Sequence, residues 1–242
     1  MVSRSANPAL NKNTFITTGR AGTSSNVMTI EGTVNKTALL LGLLLVTASY
    51  SWSNQSVLLL TGGAIGGLIM AFVTIFKKEW SGFTAPVYAL FEGLFLGSIS
   101  AMFERSYPGI VTNAVLLTFG TLFALLIAYR SGVIKATENF KLGVFAATGG
   151  IFFLYMISIV LGFFGISIPF MHSNGPIGIG ISLVIVVIAA LNLVLDFDFI
   201  EQGSELGAPK YMEWYGAFGL MVTLIWLYIE ILHLLSKLQS RD

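Results

Sequence analysis

Several side chains in this chain stand where acids are costly. Glu92 lies in Tyr88-Ala89-Leu90-Phe91-Glu92-Gly93-Leu94-Phe95, about eight residues inside an apolar run. At 1.5 Å per helical residue that is roughly 12 Å deep. An ionised acid at such depth costs on the order of 3 kcal/mol, so Glu92 is expected to be neutral, paired or facing water. Two readings stand for it: a protonated Glu that bridges helices, or an acid that senses protons. Asn192, Asp196 and Asp198 close a later run, Leu191-Asn192-Leu193-Val194-Leu195-Asp196-Phe197-Asp198-Phe199-Ile200. Helical spacing puts Asn192 and Asp196 on one face and turns Asp198 some 200° away from Asp196. Asp198 also reads as an acid solvated among headgroups. The last run carries Glu213 near its start and Glu230 further on, with Thr223 seven residues before Glu230 and on nearly the same face. Glu230 equally reads as an interfacial acid beside His233 and Tyr228.

No run holds a Lys or Arg well away from its ends, so these acids have no evident countercharge. Carboxyls clustered without countercharges share protons or bind cations. Calcium takes six to eight oxygens, which two or three carboxylates, the Asn192 carbonyl and water could supply. Asp196, Asp198, Asn192 and Glu230 are therefore the candidate cation ligands, with Asp196 the one most closely tied to calcium. The gating or proton-sensing candidates are Asp196, Glu92, Glu213 and Thr223.

Enzyme chemistry finds little footing. No His-Glu-x-x-His exists for an intramembrane zinc protease, and the chain has only His172 and His233. Gly97-Ser98 lacks the second Gly and facing His of a rhomboid-type serine protease. Gly178-Ile179-Gly180 is too short a signal for nucleotide binding, and Lys237 lies too near the end of its run to hold retinal. With no cysteine there is no disulfide framework and no thiolate metal site. The chain is read as a non-enzyme without a cofactor, calcium entering only as a transported species.

The elements that must position these acids follow from composition. Of 242 residues, 55% are apolar and 10% charged, and the mean hydropathy is +0.82. A soluble domain is about 45–50% apolar and roughly 25% charged, so this is a membrane protein. The net charge of +1 makes nucleic acid an improbable partner, and the bilayer is the partner implied. Residues 1–33, rich in Ser, Thr, Asn and Gly, are expected to form a flexible polar tail ahead of a transmembrane domain over 34–242. No apolar core appears before Ala38, so no secretory signal is expected.

Apolar runs fall at 37–53, 56–76, 84–103, 110–129, 142–164, 177–200 and 212–236, and 201–210 reads as the longest charged loop. Continuous apolarity over that length specifies helices rather than alternating barrel strands. The predicted fold is an all-α integral membrane protein with seven transmembrane helices. If the tail is cytoplasmic, the inner loops collect Arg4, Lys12, Arg20, Lys36, Lys77, Lys78, Arg130, Lys135, Lys141 and Lys210, ten cations against Arg105, Lys237 and Arg241 outside. That bias places the amino terminus inside and the carboxyl terminus outside. Gly62 and Gly66, Gly63 and Gly67, and Gly93 and Gly97 are each four apart. They strip side chains from a helix face and read as close helix packing, or as a helix able to slide or kink.

The seven-run layout, Phe91-Glu92-Gly93-Leu94, and above all the motif at 195–200 followed by Trp226-Leu227-Tyr228-Ile229-Glu230-Ile231-Leu232, resemble the Bax inhibitor-1 family in its bacterial YccA-like branch. The resemblance covers about residues 35–238. It implies six helices around a central seventh, a bacterial inner-membrane location, and a pH-sensitive calcium leak gated by a pair of aspartates. The first aspartate transfers to Asp196. The second falls on Glu230 when Leu227-Tyr228-Ile229-Glu230 is matched, and on Thr223 when the helix end is matched without gaps. The second run here lacks the family's Arg, and Glu92 and Glu213 stand as replacements for the missing acid. The resemblance equally permits a non-transporting interaction protein that binds other membrane proteins, such as a protease, or acts in a stress response.

Overall fold

The structure, a computed structural model, describes residues 26–165 and 175–240. Most of the polar tail, with Arg4, Lys12 and Arg20, lies outside these residues, as do His172 and Arg241. Seven described helices are long and apolar enough to cross a membrane: α1 Ile30–Ser53, α2 Val57–Phe76, α3 Ser81–Ser106, α4 Ile110–Arg130, α5 Glu138–Phe163, α6 Pro176–Glu205 and α7 Met212–Gln239. The all-α seven-span architecture is as the apolar runs predict.

Two boundaries differ from that reading, for local reasons. Helix α1 starts at Ile30, not at 37, so the last residues assigned to the tail are helical. Thr29 is its N-cap, extended at φ −127° and ψ 150°, and its hydroxyl accepts from the Gly32 amide. That satisfies one of the amides a helix start leaves free. Helix α6 runs on to Glu205, so half of the expected 201–210 loop is helix. The helix ends at Gly207, whose φ of 66° is left-handed. The Gly207 amide donates to the Ser204 carbonyl at 3.2 Å and the Ala208 amide to the Gly203 carbonyl at 3.0 Å, the paired bonds of a Schellman turn.

The described helices divide into two compact units. One contains α1, α2, α3, the end of α6 from Asp196 and the start of α7 to Val222. In it α3 packs against both α1 and α2. Its glycines face α1, since a Cβ on Gly93 would meet the Leu44 carbonyl and Thr47, and one on Gly97 the Ala48 carbonyl and Ser51. Toward α2, a Cβ on Gly63 would stand 2.6 Å from the Phe95 amide nitrogen. Gly67 gives room to Glu92 and Gly66 to the Phe91 ring. Gly62, read from sequence as a packing residue, faces open space, because it is turned off the 63/67 seam. The Thr74 hydroxyl donates to that of Thr84 at 2.8 Å across the same seam.

The other unit contains α4, α5, α6 up to Leu195 and α7 from Thr223. Val144 of α5 and Leu195 of α6 form a buried pair flanked by Ala136, Phe140 and Leu191. Helix α7 is the most buried of the seven, with 61% of its most apolar window inside against 11–44% for the rest.

Candidate functional site

In the unit built on α1–α3, the most elaborated acid is Glu213, the second residue of α7 and fully buried. Its Oε1 accepts from the Thr29 amide at 2.9 Å and the Thr29 hydroxyl at 2.7 Å. Lys210 Nζ reaches the same oxygen at 2.9 Å, and Lys36 Nζ pairs with Oε2. Lys36 also lies over the Trp214 ring, 5.4 Å from its centroid. The carboxylate therefore sits at the amino-terminal end of α1, where helix amides and dipole favour a negative charge. Gly32 makes this possible, since any Cβ there would collide with the Glu213 carboxylate.

This corrects the expectation that the buried acids lack countercharges. A first span over 37–53 leaves Lys36 outside it. With α1 beginning at Ile30, Lys36 belongs to its second turn and reaches α7. Among the described residues all polar contacts of Glu213 go to Thr29, Lys36 and Lys210, so Glu213 does not supply a second acid for Asp196. The readable signals were the Lys210-x-x-Glu213 spacing and the Thr29 cap. Their meeting with Lys36, 177 residues away, was not readable.

Asp196 of α6 is 0% exposed, in a helix of high apolarity. Asp198, half-buried, accepts from the Gln202 side-chain amide at 2.6 Å one turn on. Glu92 lies in the α2–α3 seam beside Gly67, and its carboxyl interacts with the Tyr88 hydroxyl one turn back. Tyr88 stacks edge-on against Phe218 of α7 at 5.0 Å. Tyr215, fully buried between Phe199 and Phe218, has a hydroxyl with no hydrogen-bond partner among the described residues.

In the other unit, the Asn192 amide donates to the Thr148 hydroxyl and to the Ile188 carbonyl, both at 2.8 Å, and so ties α6 to α5. Glu230 is buried within the protein. Its Oε1 accepts from the Tyr155 hydroxyl at 2.7 Å and from the Trp226 indole at 3.1 Å, not from His233 or Tyr228. Burial of this acid follows from α5, which brings Tyr155 to it. Lys237 donates to the Ser182 hydroxyl at 2.8 Å. Thr223 is buried as well. Among the described residues no three His, Asp or Glu side chains gather as a metal site would need. Of the cation ligands read from sequence, Asn192 and Glu230 make these bonds within one unit and Asp198 accepts from Gln202 one turn on.

Seven apolar helices with acids buried in the last two define a polytopic membrane protein whose interior holds ionisable groups. More narrowly, the chain belongs to the Bax inhibitor 1-like family: the family model described as Bax inhibitor 1 like matches residues 7–240. Comparisons with curated proteins and with solved structures return no match.

Proposed function

We propose that this protein is a pH-sensitive cation leak channel carrying calcium, of the bacterial YccA-like branch of its family. We place it in the inner membrane with the amino terminus cytoplasmic. The observation that carries the reading is Asp196, an acid with no solvent exposure inside an apolar helix of a Bax inhibitor 1-like protein. Ionisable groups inside membrane spans are costly and mark ion or proton pathways. In the protonated form the Asp196 carboxyl adds no charge to the interior. Losing its proton as pH rises puts a negative charge there, which a cation or a shift of α6 must answer. The ten-to-three bias of loop cations supports the orientation.

The test is calcium uptake into proteoliposomes containing the purified protein at pH 6 and pH 8. Wild type is expected to conduct with a pH dependence. Asp196→Asn, which cannot ionise, flattens it, while Asp198→Asn, on another helical face, changes it much less. Wild-type pH dependence retained in Asp196→Asn removes Asp196 from the gate. A wild type without flux moves the reading to an interaction protein that modulates a membrane protease or a stress response.

A further inference from the structure

The residues just before α1 are tied to the turn between α6 and α7. The Met28 amide donates to the Ala208 carbonyl at 2.7 Å and the Lys210 amide to the Asn26 carbonyl at 2.9 Å, which makes Val27 and Pro209 an antiparallel bridge pair. In this bond pattern the pair itself is not hydrogen-bonded, so its side chains are close and its own amides point away. Pro209, which has no amide to give, therefore costs the bridge nothing. Met28 is 1% exposed. Its Cε lies where a Cβ on Gly216 of α7 would approach to 3.4 Å, so a glycine provides its seat. Thr29 then delivers its amide and hydroxyl to Glu213, and Lys36 and Lys210 close over the carboxylate.

Each attachment ends on the same short stretch, 208–216. Two strands joined by a single bridge are marginal by themselves, so docking of residues 26–29 depends on the Glu213 clamp and the Met28 seat. The Schellman turn that presents Ala208 also ends α6, the helix of Asp196. What holds that turn fixes the helix end about nine residues beyond the acid, and α7 from its first turn. We propose that residues 26–29 are a strap that holds the α6–α7 turn closed, with Glu213 as its anchor and positioning residue, and that the strap undocks when the cation pathway opens. The proposal rests on the leak reading above. It gives Glu213 a part in gating through position.

Because the chain has no cysteine, a Val27→Cys/Pro209→Cys variant carries one unique pair. A bridge pair of this type has the short Cα separation a disulfide needs. In proteoliposomes loaded with a calcium indicator, the oxidised variant is expected to lose calcium flux by about tenfold or more and to regain it with reductant. Equal flux in fully cross-linked and reduced protein overturns the strap. Hydrogen exchange gives a readout that needs no flux. Glu213→Gln keeps an acceptor for Thr29 but removes the charge facing two lysines, and is expected to speed exchange of the Met28 and Lys210 amides together by about tenfold. If no form conducts, wild type included, the leak reading fails and exchange alone decides. Wild-type exchange at both amides in Glu213→Gln then overturns the strap, and joint acceleration upholds Glu213 as the anchor of residues 26–29, while the link to an opening pathway falls with the leak reading.

Discussion

Gly62 and Gly63 are neighbours on α2 with opposite surroundings, and exchanging each for alanine isolates what the α2–α3 seam contributes. A Cβ on Gly63 would lie 2.6 Å from the Phe95 amide nitrogen, 2.8 Å from the Phe91 carbonyl oxygen and 3.1 Å from the Phe95 Cα. All three are backbone atoms and cannot swing aside. Carbon makes favourable contact at about 3.5–4.0 Å, so the helices must part by on the order of 1 Å, and a gap of 0.5–1 Å forfeits about a quarter to a half of each dispersion contact. Overpacking of this kind costs about 1–3 kcal/mol. Against it stands the helix preference of alanine over glycine, about 1 kcal/mol. Gly63→Ala is therefore expected to destabilise by up to about 2 kcal/mol. Gly62→Ala meets nothing within 4 Å and is expected to be neutral or to stabilise by up to about 1 kcal/mol. Thermal unfolding in mild detergent, followed by tryptophan fluorescence, measures the order of the two. Gly63→Ala as stable as Gly62→Ala would refute the seam.

Glu213→Leu strands Lys36 in a mostly buried site and is expected to cost about 3 kcal/mol, of which Lys36→Met/Glu213→Leu recovers about 1–2 kcal/mol. Additive losses in the same unfolding assay would show that the pair is uncoupled. Tyr215→Phe removes a buried hydroxyl that has no hydrogen-bond partner among the described residues, so it is expected to leave stability unchanged or raise it by about 1 kcal/mol. A clear loss in the unfolding midpoint would show that the hydroxyl is used. Single cysteines at Ser24 and Ser240 are expected to react with impermeant maleimide from opposite sides of oriented membrane vesicles, and labelling from one side only would defeat the odd number of crossings.

The seven helices were legible because apolar runs of membrane length admit few other structures, and Pro108-Gly109 and Gly175-Pro176 punctuate them. Polar helix ends were not legible from hydropathy. Of the first two turns of α1, Glu31 and Thr33 read as tail and Asn35 and Lys36 as the stretch ahead of the first run, although Thr29 marks the start of a helix. That single boundary also hid the countercharge of Glu213, because a lysine assigned to a loop cannot be counted inside a span. The partner of Glu230 was hidden in a similar way. Its neighbours along α7 were visible, but Tyr155 comes from α5, 75 residues earlier. Asp196 and Glu92 were found by their depth in apolar runs, a property of local sequence. The glycines were found by spacing, yet spacing could not tell Gly62 from Gly63, since only the neighbouring helix decides which face is the seam.

The pairing of Lys36 with Glu213 has a consequence for biogenesis. The two residues are separated by 177 positions, and a ribosome adding about 5–20 residues per second takes roughly 10–35 s to make that stretch. During this interval α1 carries its lysine with neither Glu213 nor Lys210 yet synthesised. A nascent chain halted anywhere before α7 keeps Lys36 at the start of its first span without its Glu213 partner. Completion of the last helix thus supplies the carboxylate that Lys36 pairs with, so the first span gains its final polar contacts only once α7 is made.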